Sequence, residues 1–239
     1  MSTITVENVH KYYGKNHVIK GINFTINTGE IIGILGPNGA GKTTSFYMIV
    51  GITTVSDGKI LLDGQDITQI PMHERGKLGI GYLPQEPSIF RGLNVEDNIM
   101  AILEFVEKDK EKRNARLQEL LEEFGIEKLR KQSSISLSGG ERRRLEIARL
   151  LALNPKFVFL DEPFAGVDPV SVAEINNMIL RLKAKNIGVV ITDHNVRETL
   201  KITDRTYIVY NGSVLTEGSE AEILSHEDTK RYYLGENFQ

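Results

Sequence analysis

The sequence predicts an α/β fold with a parallel sheet at its centre, an antiparallel β subdomain and an inserted helical subdomain. Three apolar runs, near Ile31, Phe157 and Val189, lack polar alternation and are expected to be strands covered on both faces, as in a parallel sheet. Residues 4–9 and 22–26 instead alternate apolar and polar positions with period two. That pattern predicts antiparallel strands with one face exposed.

A helical region is predicted between these two sets of strands. Four apolar residues are spaced as one face of a helix: Leu117, Leu120, Leu121 and Phe124. The preceding residues 107–113 have mixed charge and no apolar stripe, which favours a solvated helix face or loop over a docking site. We place the helical subdomain at about residues 88–140 of a single domain spanning residues 1–239. Near the end, Asn211-Gly212 between two apolar runs predicts a β-hairpin.

Composition and charge restrict the class of protein. The chain has 239 residues, a net charge of −3 and no cysteine, so we expect one large domain without disulfides or thiolate metal sites, and no nucleic-acid partner. Its longest uncharged apolar run, residues 46–52, is far shorter than the roughly 20 residues that span a bilayer. The N-terminal residues lack the pattern of a secretory signal. We therefore expect a cytoplasmic location.

The strongest motif is the glycine-rich segment at residues 36–43, which matches the phosphate-binding loop G-x-x-x-x-G-K-[ST]. It follows a strand-like run and precedes a helix-like one, which is the context that the motif requires. Its glycines let successive N–H groups turn toward a phosphate at the positive end of the helix. Lys42 is expected to contact the β- and γ-phosphates, and the Thr43 hydroxyl to bind Mg²⁺. The candidate nucleotide-binding residues here are Gly36, Pro37, Asn38, Gly39, Ala40, Gly41, Lys42, Thr43 and Thr44.

Two further segments indicate a family. Leu-Ser-Gly-Gly-Glu at residues 137–141 and a strand ending in Asp161-Glu162, taken with the phosphate loop, resemble the ATP-binding-cassette (ABC) ATPases over essentially the whole chain. The resemblance implies that Ser138, Gly139 and Gly140 bind the nucleotide held by a second copy of the chain. It therefore implies an ATP-dependent head-to-tail dimer, which has two-fold symmetry when the two copies are identical.

The same resemblance assigns the chemistry of the site. Glu162 would deprotonate the attacking water, Gln85 would sense Mg²⁺ and water, and His194 would contact the γ-phosphate. The expected catalytic residues are thus Glu162, His194, Gln85 and Lys42, and the expected magnesium ligands are Thr43, Gln85 and Asp161. Two adjacent carboxylates at the end of an apolar strand are costly unless a cation or ligand balances their charge, which agrees with this assignment.

Other positions receive roles with alternatives left open. Tyr13 stands where an aromatic ring stacks on adenine, but a packing role is the alternative, and Tyr12 competes for the position. Asp168 would pair across the dimer. Arg142 and Glu146 are spaced i, i+4, so we expect surface ion pairs on this helix rather than a polyanion site.

Within the family, four segments resemble the ATPase subunits of lipopolysaccharide-export transporters: residues 81–91, 137–144, 161–169 and 191–199. Importers of branched-chain amino acids are the alternative, but they more often carry Glu-His-Asp where this chain has Asp193-His194-Asn195.

The resemblance to exporters implies two transmembrane partner subunits, contacted near Ile89, Phe90 and Arg91, and a peripheral position on the cytoplasmic face of the inner membrane. The apolar pair at 89–90 could instead belong to the core. A soluble ABC ATPase acting on ribosomes or DNA would need tandem cassettes or a basic surface, and a simple phosphotransferase would not need the segment at residues 137–141.

Overall fold

A computed structural model describes residues 1–235, with residues 169 and 170 described by their backbone alone. The strands are β1 (Thr3–Tyr13), β2 (Asn16–Asn27), β3 (Ile31–Leu35), β4 (Asp57–Leu62), β5 (Gln65–Asp66), β6 (Ile80–Leu83), β7 (Phe157–Asp161), β8 (Gly188–Thr192), β9 (Arg205–Tyr210) and β10 (Ser213–Gly218). The helices are α1 (Lys42–Val50), α2 (Met72–Lys77), α3 (Val95–Val106), α4 (Lys110–Glu123), α5 (Gly139–Leu151), α6 (Pro169–Ala184), α7 (Val196–Ile202), α8 (Glu220–Ser225) and α9 (Glu227–Thr229). Short 3₁₀ turns lie at Glu127–Leu129 and Ser134–Ser136, and α9 continues into a π-helical turn at Lys230–Leu234.

The strands form two sheets. The first has the order β2-β1-β4-β5 and is antiparallel, as the alternating segments predict. The second has the order β10-β9-β3-β8-β7-β6, and its strands are parallel except at the β9–β10 hairpin. Every residue of β3, β7 and β8 is buried. The prediction of a parallel core sheet is therefore confirmed.

Apolar residues cover the parallel sheet on both faces. Val158 and Leu160 of β7 pack into one cluster with α3 to α6, whereas Phe157 and Phe159 pack into another with α1 and the antiparallel sheet. This follows from strand geometry, in which successive side chains point to opposite faces. The loops at the carboxyl ends of the strands are left at one edge of the sheet, where ligands bind in open α/β folds.

Helices α3 and α4 lie between β6 and β7 in the chain, where a helical insertion is predicted. The four apolar residues of the predicted stripe, at 117, 120, 121 and 124, are all buried. The charged run before them is mostly exposed, and the carboxylate of Asp109 caps the start of α4. The predicted hairpin also forms, with Asn211 and Gly212 both at positive φ.

One ion-pair prediction is correct only in part: Arg144 of α5 pairs at the surface with Glu174, at 2.6 Å, but the predicted Arg142–Glu146 pair is replaced by another. Glu146 pairs with Arg143, not with Arg142, and both partners are buried rather than at the surface. The reason is that Glu146 faces inward on α5, where its other oxygen accepts a hydrogen bond from the backbone of Ser88 at 2.8 Å. Within residues 1–235, no helix has the length and apolarity needed to cross a membrane.

Candidate functional site

The phosphate loop connects β3 to α1, and its shape depends on glycine. Gly36, Gly39 and Gly41 all have positive φ. A Cβ atom at Gly36 would lie 2.0 Å from the carbonyl oxygen of Val209, and one at Gly41 would lie 2.4 Å from Ile19 Cδ1. The loop can therefore fold tightly over the start of α1, where unpaired N–H groups and the helix dipole favour an anion.

Lys42 lies over this loop and close to two carboxylates. Its Nζ donates hydrogen bonds to the carbonyl oxygens of Gly36 at 2.7 Å and Pro37 at 3.1 Å. Burial lowers the pKa of Lys42, while the charges of Glu162 and Asp161 act in the opposite direction. The structure thus brings the loop lysine and both predicted carboxylates together.

The two carboxylates differ in environment. Asp161 ends β7 and is only 5% exposed, and its Oδ2 accepts a hydrogen bond from the Tyr82 hydroxyl at 3.1 Å. Burial raises the pKa of Asp161 above its usual range. Glu162 has a φ of 46°, in the left-handed region that non-glycine residues rarely adopt, and its N–H donates to the Thr192 carbonyl at 2.7 Å. That conformation turns the Glu162 side chain out of the strand direction.

The side chain of Glu162 is held from two sides. Gln85 Nε2 donates to its Oε2 at 2.7 Å, and His194 Nε2 lies 2.8 Å from its Oε1. Gln85 follows β6 and His194 follows β8, and these two strands flank β7 in the sheet. The strand order therefore places all three predicted residues at one edge, although they are far apart in sequence.

A cavity of about 230 Å³ lies against this group. Its lining residues are Val18, Asn38, Gly39, Ala40, Gly41, Lys42, Thr43, Thr44, Glu162 and His194. Backbone N–H groups and a lysine suit polyphosphate, and a fixed carboxylate beside them suits removal of a proton from water.

The oxygen donors here also fit Mg²⁺. Thr43 lines the cavity, and the buried Asp161 carboxylate lies close enough to Lys42 for their charges to interact. Within the described residues there is no cluster of three or more His, Cys, Asp or Glu side chains suited to a metal. Mg²⁺ does not need one, because it usually keeps several waters and binds one or two carboxylates together with substrate phosphates.

The predicted Ser138-Gly139-Gly140 segment lies outside this cavity. Ser138 caps α5, and its N–H and Oγ both contact Glu141 Oε2, at 2.8 and 2.7 Å. Ser138 and Gly139 are exposed. Gly139 lines a separate cavity of about 70 Å³ that Glu162 also borders. The segment thus presents helix N–H groups at the surface, away from the phosphate loop of its own chain.

Two other predicted residues lie at the edges of the site. Asp168 accepts hydrogen bonds from the N–H and hydroxyl of Ser171, at 3.1 and 2.6 Å. Tyr13 is 50% exposed with the Lys11 ammonium 5.1 Å from its ring centre, so it is not a packed core tyrosine. Tyr12 stacks on His17 with ring centres 4.0 Å apart. Neither tyrosine lines the cavity, and the adenine role of Tyr13 stays a prediction.

The predicted contact at residues 89–91 borders a second feature, here called the apolar groove. It has a volume of about 390 Å³ and is lined by Ile52, Met72, Tyr82, Leu83, Pro84, Ser88, Ile102, Glu146, Arg149, Leu150 and Leu153. Phe90 is 42% exposed, with the Arg149 guanidinium 4.2 Å from its ring centre, so the core interpretation of Phe90 is wrong. Ile89 is partly buried against the core.

Sequence reasoning missed most of this groove. Ile52, Met72 and Leu153 are 44%, 40% and 37% exposed, yet they come from three distant segments. No single segment carries a pattern that would reveal them. Tyr82 was also missed, although it lies only three residues before Gln85.

Comparison with known proteins agrees with this geometry. A family model for ABC transporters matches residues 19–165. The lipopolysaccharide export system ATP-binding proteins LptB of Escherichia coli K12 and Haemophilus influenzae are 55% and 53% identical, each across 100% of both chains. Among solved structures, the ADP conformation of an ATP-binding cassette of an ABC transporter has a TM-score of 0.88 and 30% identity, covering 99% of this chain and 100% of that one. A dimeric cassette bound to ADP and Pi has a TM-score of 0.79 and 25% identity, covering 91% and 98%.

Proposed function

Because the chain belongs to the ABC transporter family, we propose that it is the ATP-hydrolysing subunit of a membrane transporter that exports lipopolysaccharide. The proposal of ATP hydrolysis rests on one observation. Gln85 and His194 hold the Glu162 carboxylate at the edge of the phosphate-loop cavity. The export part is supported by relatives at 53% to 55% identity over the full length of both chains, which are named for lipopolysaccharide export.

In this proposal the phosphate loop binds the nucleotide, and the Glu162 carboxylate acts on the attacking water. Loop N–H groups and Lys42 hold the phosphates, with the Lys42 ammonium moving from the loop carbonyls to the β- and γ-phosphates. Mg²⁺, held through Thr43, Gln85 and Asp161, would neutralise charge on the phosphates. Glu162 accepts a proton from the attacking water, while its hydrogen bonds to Gln85 and His194 fix the direction of its oxygens.

A second copy of the chain supplies the Ser138-Gly139-Gly140 segment to each nucleotide site. Ser138 and Gly139 are exposed at the start of α5 and lie outside the cavity of their own chain. The N–H groups at such a helix start can hold the γ-phosphate bound to another copy. ATP would then stabilise a head-to-tail dimer with two equal sites, and Asp168 would pair across the interface. The dimeric state of a related cassette with ADP and Pi supports this arrangement.

The apolar groove would receive the transmembrane subunits. Ile52, Met72 and Leu153 give it an exposed apolar wall. Phe90 lies against the lining residue Arg149, and Arg91 follows it in the chain. Such a surface suits an apolar helix from a membrane subunit. The chain would then lie on the cytoplasmic face of the inner membrane, where closure of the dimer moves the two partners.

A mixing experiment tests the shared site. Lys42→Ala removes the phosphate-loop charge and Ser138→Arg blocks the contributed segment, so each variant alone should be inactive. Mixed equally, half of the dimers contain one of each, and each such dimer has one intact site. Independent sites then give roughly a quarter of wild-type turnover. No recovery from variants that still exchange and dimerise would refute the shared site.

A reconstitution experiment tests the cargo. The chain is purified from membranes, its partner subunits are identified, and the complex is placed in proteoliposomes that contain lipopolysaccharide. We expect ATP-dependent release of lipopolysaccharide to an acceptor, and none with Glu162→Gln. Co-purification with importer subunits and ATP-dependent uptake of leucine would instead establish the branched-chain amino-acid importer.

A further inference from the structure

Tyr82 contacts both the nucleotide site and the apolar groove. It lies on β6, paired in parallel register with Phe159 of β7. Its hydroxyl donates to Asp161 Oδ2 at 3.1 Å, and the residue is part of the groove wall. A single rigid side chain therefore joins a predicted magnesium ligand to the surface proposed for a membrane partner.

The environment of Tyr82 keeps it a hydrogen-bond donor. Its hydroxyl lies 3.1 Å from Asp161 Oδ2, and a carboxylate oxygen can only accept. A phenol of this kind stays protonated at physiological pH and can donate to the carboxylate. The ring of Tyr47, from the helix that follows the phosphate loop, packs edge-on against it with ring centres 6.2 Å apart. The ring is thus held in place from the side of α1.

Asp161 depends on such a partner because it is almost fully buried. The hydrogen bond from the Tyr82 hydroxyl stabilises the charged form of this carboxylate. A donor fixed on Oδ2 also sets the direction of the whole carboxylate. Groups that orient metal ligands in this way typically account for about 10- to 100-fold in metal affinity.

We propose that Tyr82 is a positioning residue that orients Asp161 for a divalent cation and couples that carboxylate to the occupancy of the apolar groove. The inference rests on the proposed function, since it needs both a nucleotide-bound cation and a groove that receives a partner. A partner that displaces the ring also displaces the hydroxyl, because the two are one planar group. By reciprocity, cation binding changes the affinity of the groove for that partner by the same free energy.

The first test removes only the hydroxyl. In Tyr82→Phe the ring still fills its place, so ATP affinity in the presence of EDTA should match wild type. The affinity of the ATP-loaded chain for Mn²⁺, measured by electron paramagnetic resonance, should fall about ten-fold. Tyr210→Phe, on β9 with its ring stacked on Tyr232, is the control and should not change Mn²⁺ affinity. Unchanged Mn²⁺ affinity in Tyr82→Phe would overturn the positioning role. A wild-type chain that fails to bind ATP would instead overturn the proposed function.

The second test measures the coupling. The chain contains no tryptophan, so Met72→Trp places a single fluorescent reporter in the wall of the apolar groove. Addition of Mg²⁺ to the ATP-loaded reporter should shift its emission. The shift should disappear when Tyr82→Phe is added, even at saturating Mg²⁺. The same shift in both proteins, or no shift in the reporter that retains Tyr82, would overturn the coupling.

Discussion

Phe90→Ala separates a docking role from a structural one. A fully buried phenylalanine costs about 3–5 kcal/mol of unfolding free energy when cut to alanine. Phe90 is 42% exposed and gains a cation–π contact from Arg149 at 4.2 Å, so we expect a loss of about 1.5 kcal/mol. For a chain of this length that corresponds to a fall in Tm of roughly 3–6 °C. If Phe90 anchors a partner helix, the loss of at least about 2 kcal/mol of binding weakens the partner Kd about 30-fold.

The assay pairs a thermal melt with binding to detergent-solubilised membrane subunits. Leu180→Ala is the matched control, because Leu180 is also half exposed, at 45%, but lies on α6 and is not part of the groove. It should melt close to wild type and bind the partner normally. Basal ATP hydrolysis should persist in both variants. A fall in Tm above about 10 °C would show that Phe90 serves the core, and wild-type partner affinity would show that it is no anchor.

Three further predictions have defined outcomes. Glu162→Gln should keep ATP binding, since an amide can still bond to its two neighbours, but lower hydrolysis by about 10²- to 10⁴-fold; more than about a tenth of wild-type turnover would contradict the assignment as base. In monomers, Lys42→Ala should weaken ATP binding while Ser138→Arg leaves it intact, and equal losses by titration calorimetry would contradict the shared site. Arg75→Met should lower unfolding free energy by about 3 kcal/mol or more, because buried carbonyls at 48, 49, 68 and 70 lose a charged donor. A denaturant titration showing less than about 1 kcal/mol would refute that account.

Local patterns were enough to predict most of the fold. Short segments of the sequence encode two of these features: the continuous burial along β3, β7 and β8, and the turn at Asn211-Gly212. Strand order is not encoded in that way. The placement of β8 between β3 and β7 could not be read from residue patterns, yet it decides which loops meet. The residues around Glu162 were therefore predicted by family resemblance rather than by periodicity.

The misses have physical causes. The Glu146 pairing was assigned by helix spacing to Arg142, but spacing alone does not tell which face of α5 is buried, and Arg143 is the partner. Tyr82 was not predicted because a tyrosine in an apolar strand is interpreted as a packing residue. Only the structure reveals the hydrogen bond from its hydroxyl to Asp161. The wall of the apolar groove was not predicted because three distant segments contribute one exposed apolar residue each.

The backbone conformation of Glu162 has an evolutionary consequence. A glutamate at a φ of 46° is strained by about 1–3 kcal/mol relative to an ordinary strand residue. Asparagine tolerates that conformation far better, so Glu162→Asn should relieve part of the strain while removing the proposed base. A laboratory screen that rewards only heat resistance would thus drift toward inactive proteins at this position. Retention of glutamate in a parallel screen that also requires ATP hydrolysis would then measure selection for turnover.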